Sequence, residues 1–178
     1  MIKFLICFLI AIIGLLIIWI INIYNKFQYN LIKLEKSETN ITNALGRKYQ
    51  VLVRYIEFLE KNIKLEENEF QDFLETNLKG INNIKLNIKI DDCYNQIKGY
   101  LDDNQKKLSK ETINEFTKEI RELDVIINGC KRYYNNILVG YNKLVKCFPT
   151  KYIAKVYKYK ERDFYPEDKQ DSFKILDE

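Results

Sequence analysis

"INEFTKEIRELDVIINGCKRYYNNILVGYNKLVKCFP" covers residues 113 to 149. Tyr-Asn stands at 134 and 135, recurs at 141 and 142, and gives way seven residues later to Phe148-Pro149. In heptad register, positions a are Ile113, Ile120, Ile127, Tyr134, Tyr141 and Phe148, and positions d are Phe116, Leu123, Cys130, Ile137 and Leu144. All eleven are apolar or aromatic. A chain that is 47% hydrophobic fills a fixed register this way about once in a few thousand draws. The tyrosines thus continue an isoleucine seam, and Pro149 ends it because proline cannot extend a helix. The stretch predicts one amphipathic helix of roughly 36 to 39 residues, about 55 Å long. Such a stripe is buried only against another long helix.

The partner lies upstream. Tyr24, Phe27, Leu31, Leu34, Ile41, Leu45, Leu52, Tyr55 and Leu59 recur mostly at steps of three, four or seven, the spacing of an amphipathic helix. The predicted fold class is all-α, with an N-terminal transmembrane helix followed by an antiparallel long-helix bundle. Between the two helices, "LEENEFQDFLETNLKG" predicts a shorter helix with Gly80 as its C-terminal cap. "INNIKLNIKI" alternates as a strand would, but a lone strand has no mate in a helical chain. An irregular or helical connector is expected there instead, with Asp91 or Asp92 capping a short helix through Leu101. Ser109 is placed to cap the helix that carries the seam. Gly129 and Gly140 in its interior either admit a close neighbour or are simply tolerated.

The chain opens "MIKFLICFLIAIIGLLIIWIINIYNK". From Phe4 to Ile21 every residue except Gly14 is apolar, enough for roughly 30 Å of helix, the thickness of a bilayer core. Trp19 and Tyr24 fall toward its end, where interfacial aromatics concentrate. A cleaved leader would have an apolar region of about 7 to 15 residues and small residues at its end, so the run reads as a retained anchor through residues 4–24. No proline separates it from the helix that follows, so the two could be one continuous rod. Lys3 and the amino terminus stand against Lys26, Lys33 and Lys36, which leaves the orientation open under the positive-inside rule. The expected division is an anchor over 1–24, a bundle over 25–160 and a loosely ordered polar, acidic tail over 161–178.

The chain contains no histidine. That removes Ser-His-Asp triads, Cys-His nucleophiles, HExxH zinc sites and the Glu-x-x-His di-iron motif. No phosphate-cradling glycine loop occurs among the six glycines, and no cofactor is expected. The net charge of +4 is spread among interspersed signs, so no nucleic-acid footprint is expected. Glu66-Glu67, Asp91-Asp92 and Asp102-Asp103 read as caps and solvated loops rather than calcium ligands, since calcium-loop spacing is lacking. Of the four cysteines Cys7 lies in the anchor; Cys93, Cys130 and Cys147 are odd in number, show no CxxC spacing and read as unpaired, buried thiols.

The heptad stretch resembles the LemA family of bacterial membrane proteins. The family pattern runs Arg, two residues, Tyr-Asn, five residues, Tyr-Asn, five residues, Phe-Pro, then Ala and aromatics. Here it falls on Lys131, Tyr134-Asn135, Tyr141-Asn142, Phe148-Pro149, Ala154, Tyr157, Tyr159 and Phe164-Tyr165. The family's preceding Phe and acidic positions look like Phe116 and Asp124, its opening Tyr-Asn like Tyr24-Asn25, and its basic pair like Arg47-Lys48. The departures are Lys131 for Arg, Lys158 for a glycine, "VLVRY" at 51–55 where the family has a proline run, and a poor match over about 60 to 108. Asn135 and Asn142 fall at heptad b, either bonded to a neighbouring helix or partner or facing solvent.

The resemblance implies a scaffold in cell-envelope maintenance, in some bacteria near a membrane-bound zinc protease. From the residues themselves, a non-enzymatic, single-pass adaptor of the cell membrane comes first. Its partners are the lipid bilayer and other membrane proteins or a second copy, and the resemblance implies a membrane-bound metalloprotease among those proteins. Self-assembly or membrane shaping comes second, and a hydrolase using carboxylates alone comes last.

Overall fold

The computed structural model describes residues 1–63, 65, 68–78, 80–104 and 107–166. Five helices follow in order: α1 Ile2–Asn62, α2 Gln71–Leu74, α3 Asn83–Asp103, α4 Lys110–Lys146 and α5 Thr150–Val156. No strand occurs among the described residues, so the all-α expectation holds. The chain divides into two compact units, one of residues 1–37 with 133–165 and one of residues 38–132 with 166–178.

α1 is the continuous rod its proline-free sequence implies, 61 residues without a break. The side chains of Phe4 to Ile12 and Leu15 to Ile21 all lie exposed. An apolar run buried in a protein core would look the opposite. α1 is long and apolar enough to cross a membrane, and none of that apolar run is buried.

The first unit packs Ile23, Phe27 and Leu34 of α1 with Tyr134, Leu138 and Tyr141 of α4 and Ile153 and Ala154 of α5. α4 stops at Lys146, three residues before Pro149. The Thr150 hydroxyl donates to the carbonyls of Leu144 at 2.6 Å and Cys147 at 3.0 Å, satisfying groups the helix end leaves open. α5 closes with a Schellman motif. The N–H of Tyr159 reaches the Ala154 carbonyl at 2.9 Å and that of Lys158 the Lys155 carbonyl at 3.3 Å. Lys158 takes φ of 58° to make this turn. It is the position where the family pattern has glycine, the residue for which that conformation is free of strain.

The second unit is a three-helix packing. Lys48 meets Asp124, Arg54 meets Glu119 and Tyr55 meets Phe116, so α1 and α4 run antiparallel, as expected. Thr42 meets Asn83 and Lys48 meets Asp91, so α3 runs parallel to α1. The core is Ile41, Leu45, Leu52, Ile56 and Leu59 of α1, Ile90 and Ile97 of α3, and Phe116, Ile120 and Ile127 of α4.

Several local expectations are corrected. The connector is a 21-residue helix. Its cap is Asn82, whose side-chain oxygen accepts the Ile84 N–H at 2.7 Å, and not Asp91 or Asp92. The alternation was half accidental: Leu86 and Ile90 are buried one turn apart, while Ile84 and Ile88 are exposed. The helix expected before Gly80 shrinks to α2, which ends at Leu74, and the hydroxyl of Tyr49 takes its last carbonyls. Glu66 and Glu67 lie outside the described residues, as does the end of the expected tail, 167–178. Ser109 does cap α4, accepting the Glu111 N–H at 3.2 Å. Cys93 is buried, but Cys7 and Cys147 are exposed. At Gly129 and Gly140 nothing approaches within 4 Å of where a Cβ would stand, so neither admits a close neighbour.

Candidate functional site

Along α4 the buried stripe follows a period near 3.6 residues, not 3.5. The buried positions are Phe116, Ile120, Ile127, Lys131, Tyr134, Leu138 and Tyr141, and Asn135 and Asn142 join them. The stripe drifts off the d positions, leaving Leu123, Cys130, Ile137 and Leu144 half-buried. Phe148 falls outside it at 76% exposure. The chain has left the helix by then, so the seven-residue spacing no longer fixes a face.

That drift brings both asparagines under cover, where they grip the segment after α5. The Asn142 side-chain nitrogen donates to the Arg162 carbonyl at 2.9 Å, and its oxygen accepts the Arg162 N–H at 3.1 Å. Asn135 does the same to Tyr165, with both bonds at 2.9 Å. Between them the Tyr141 hydroxyl donates to the Lys160 carbonyl at 3.0 Å. Burial pushes the Tyr141 hydroxyl above the usual tyrosine pKa, with Arg162 lowering it somewhat and Tyr159 adding to the rise.

Aromatic rings fix both ends of the gripped segment. Tyr159 stacks on Phe27 at 4.6 Å and accepts a bond from the Gln28 side chain at 2.9 Å. Tyr165 meets Tyr134 edge-on at 5.0 Å. Tyr24 rests on Tyr157 at 5.1 Å. Asn135 and Asn142 do not face solvent: both are buried, and both bond the backbone of the same chain beyond α5. Asn25, the third asparagine of the pattern, is exposed and takes no part in the grip.

A second cluster lies wholly in the other unit. The Lys48 ammonium is buried and reaches Asp124 at 2.7 Å and Asp91 at 2.9 Å. Burial opposes its charge, but the hydrogen bonds it donates to Asp124 and Asp91, with their negative charges, outweigh burial and raise Lys48 above the usual lysine pKa. The other oxygen of Asp91 accepts from Asn87 at 2.7 Å, and the oxygen of Asn87 accepts from buried Lys131 at 3.2 Å. One network therefore joins α1, α3 and α4. Lys48, Asp124 and Lys131 come together here, with Phe116 packed below between Tyr55 and Tyr94. Arg47 points away, exposed.

The pairing of Asn87 with Asp91 was missed in the sequence because Asn87 belongs to the stretch that alternates like a strand and Asp91, which follows it, reads there as a cap. Read as a helix, they stand one turn apart on one face. Asp91 is not a cap: its two oxygens accept from Lys48 and Asn87. Among the described residues no group of His, Cys, Asp and Glu is arranged to hold a metal ion.

Pro149 is half-buried and Ala154 buried, the latter beneath the Schellman turn. Comparison with curated proteins and with solved structures gives no match. Residues 37–175, well over half of the chain, match the family model described as LemA family, and the chain belongs to that family.

Proposed function

We propose that this protein is a membrane-anchored, non-enzymatic scaffold or adaptor of the LemA type, acting in cell-envelope maintenance. The observation that carries the reading is the exposed apolar run of α1, which continues without a break into the helix that packs with α4. Residues 4–24 sit in the bilayer of the cell membrane in a single pass, and the helices recruit other membrane proteins, a membrane-bound metalloprotease among them. A histidine-free sequence supports a non-catalytic role. So does the inward use of the motif: Lys48, Lys131, Asn135 and Asn142 direct their polar groups to partners within the chain. A carboxylate hydrolase has less support, because Asp91 and Asp124 are engaged by one lysine.

The test is gentle crosslinking in intact membranes followed by purification of the full chain. The adaptor reading expects the protein wholly in the membrane fraction with at least one other membrane protein crosslinked to it. Recovery in the soluble fraction, or crosslinks to itself alone, counts against it.

One observation favours self-assembly as a second reading. Val125 and Ile126 stand exposed on α4 at 64% and 49%, side chains that association would cover. Size analysis of the full chain in detergent decides: a strict monomer removes this reading.

A further inference from the structure

The grip on residues 159–165 has the form of a receptor and its ligand. Its hydrogen bonds from Asn135, Asn142 and Tyr141 all fall on the backbone of the segment, at Lys160, Arg162 and Tyr165. A primary amide that donates to a carbonyl and accepts from the N–H of the same residue recognises extended chain whatever its side chain. Side chains enter at the two ends, where Tyr159 lies on Phe27 and Tyr165 against Tyr134, and at Glu161, whose carboxylate pairs with Lys146 of α4 at 2.7 Å.

The spacing fits extended chain. Asn135 and Asn142 are seven residues apart on a helix, about 10.5 Å at 1.5 Å per residue. Arg162 and Tyr165 are three apart in extended backbone, about 10 Å at roughly 3.3 Å per residue. The two amides are thus pitched to meet every third residue of a strand-like segment.

We propose that this face of α4 is a binding site for extended polypeptide backbone carrying two aromatic side chains six residues apart. Its occupant in trans is residues 159–165 of a second copy of the chain. A second copy supplies every contact the chain's own segment makes, so exchange breaks and remakes the same bonds. The turn at Lys158, with φ of 58°, is the joint at which the segment leaves α5. The inference stands apart from the adaptor reading and survives its failure.

Two full-length variants in detergent test it. Tyr159→Ala/Tyr165→Ala weakens the segment and leaves the face intact. Asn135→Ala/Asn142→Ala removes the grip and leaves the segment intact. Both are first checked for the helical circular dichroism of the parent. A labelled peptide of residues 158–166 should bind the first variant and not the second. Methylating the backbone nitrogens of Arg162 and Tyr165 in the peptide should weaken binding about tenfold for each bond lost. Replacing exposed Asp163 and Phe164 by Ala should change it by less than about threefold. Mixing the two variants should give a one-to-one heterodimer that neither forms alone, because each supplies what the other lacks. A helical first variant that binds no peptide, or binding unaffected by methylation, overturns the site. Peptide binding with a mixture that stays monomeric overturns the second copy as its occupant.

Discussion

Asn142 and Arg162 exchange two hydrogen bonds, amide to carbonyl at 2.9 Å and backbone N–H to amide oxygen at 3.1 Å. Asn142 is buried, so neither bond is replaced by water at low cost. Asn142→Ala should destabilise the full chain by about 2 kcal/mol, the usual range for an unsatisfied buried group. Asn142→Asp should cost at least as much, since it sets a carboxylate against the Arg162 carbonyl. Asn25→Ala, at an exposed position, should stay within about 0.5 kcal/mol of the parent. Chemical denaturation in detergent gives all three values.

Tyr141 separates packing from hydrogen bonding at one residue. Its ring meets Phe27 edge-on at 6.0 Å, and its hydroxyl holds the Lys160 carbonyl. Tyr141→Ala should cost about 3 to 5 kcal/mol and Tyr141→Phe about 1 kcal/mol. Equal losses for the two in thermal melts would mean the ring contributes nothing.

Lys158→Gly should stabilise the chain. A side chain in the left-handed region costs on the order of 1 kcal/mol relative to glycine, somewhat offset by the freedom glycine adds to the unfolded state. A rise of a few degrees in the melting temperature is expected. A fall would show that the Lys158 side chain contributes more than the strain it carries.

Lys48 has two counter-ions, and the pair should behave non-additively. Asp91→Asn or Asp124→Asn alone leaves the ammonium one carboxylate, and each should cost about 1 to 2 kcal/mol. Both together leave a buried charge without a counter-ion, for which about 3 to 5 kcal/mol is typical. A double-mutant cycle measures the excess. Strict additivity would mean the two carboxylates act independently on Lys48.

Stability should fall in alkali. Burial pushes the Cys93 thiol up to about 12, and Cys130, Tyr141 and Lys48 are also raised. Each group holds its proton more tightly folded than unfolded, so its contribution is complete below its unfolded pKa and is lost as pH rises through the folded one. The decline should begin near the unfolded thiol value of about 8.5, with tyrosine and lysine joining above about 10. Denaturation midpoints from pH 7 to 11 check this. Alkylation gives a second reading: Cys147 should react in the native protein and Cys93 only after unfolding.

The long helices were legible because periodicity over many residues averages out exceptions. The ten other seam positions outvote Phe148, and α1 carries no proline to contradict its length. α3 was not legible from its start, where Ile84 and Ile88 imitate a strand by chance and only the later residues show a four-residue step. Asp91 was hidden for the same reason. The grip was half legible. Tyr-Asn repeated at seven residues is plain in the sequence, but its ligand is backbone, which leaves no pattern of side chains at 160–165 to find. Lys158 could be noticed only as a departure from the family, and its meaning came with the φ angle.

The unbroken course of α1 has a consequence for depth. Tyr24 lies three residues beyond Ile21 and Phe27 six, about 4.5 and 9 Å further along a helix axis. Set in a bilayer, Ile21 ends the hydrocarbon layer, and the rings of Tyr24, Phe27, Tyr157 and Tyr159 occupy the lipid headgroup zone. The aromatic end of the gripped segment would then lie at the membrane surface, where amphipathic rings are favoured. Membrane thickness would then become a variable for this protein: a thinner bilayer would leave that cluster beyond the headgroups, and a thicker one would draw it into hydrocarbon.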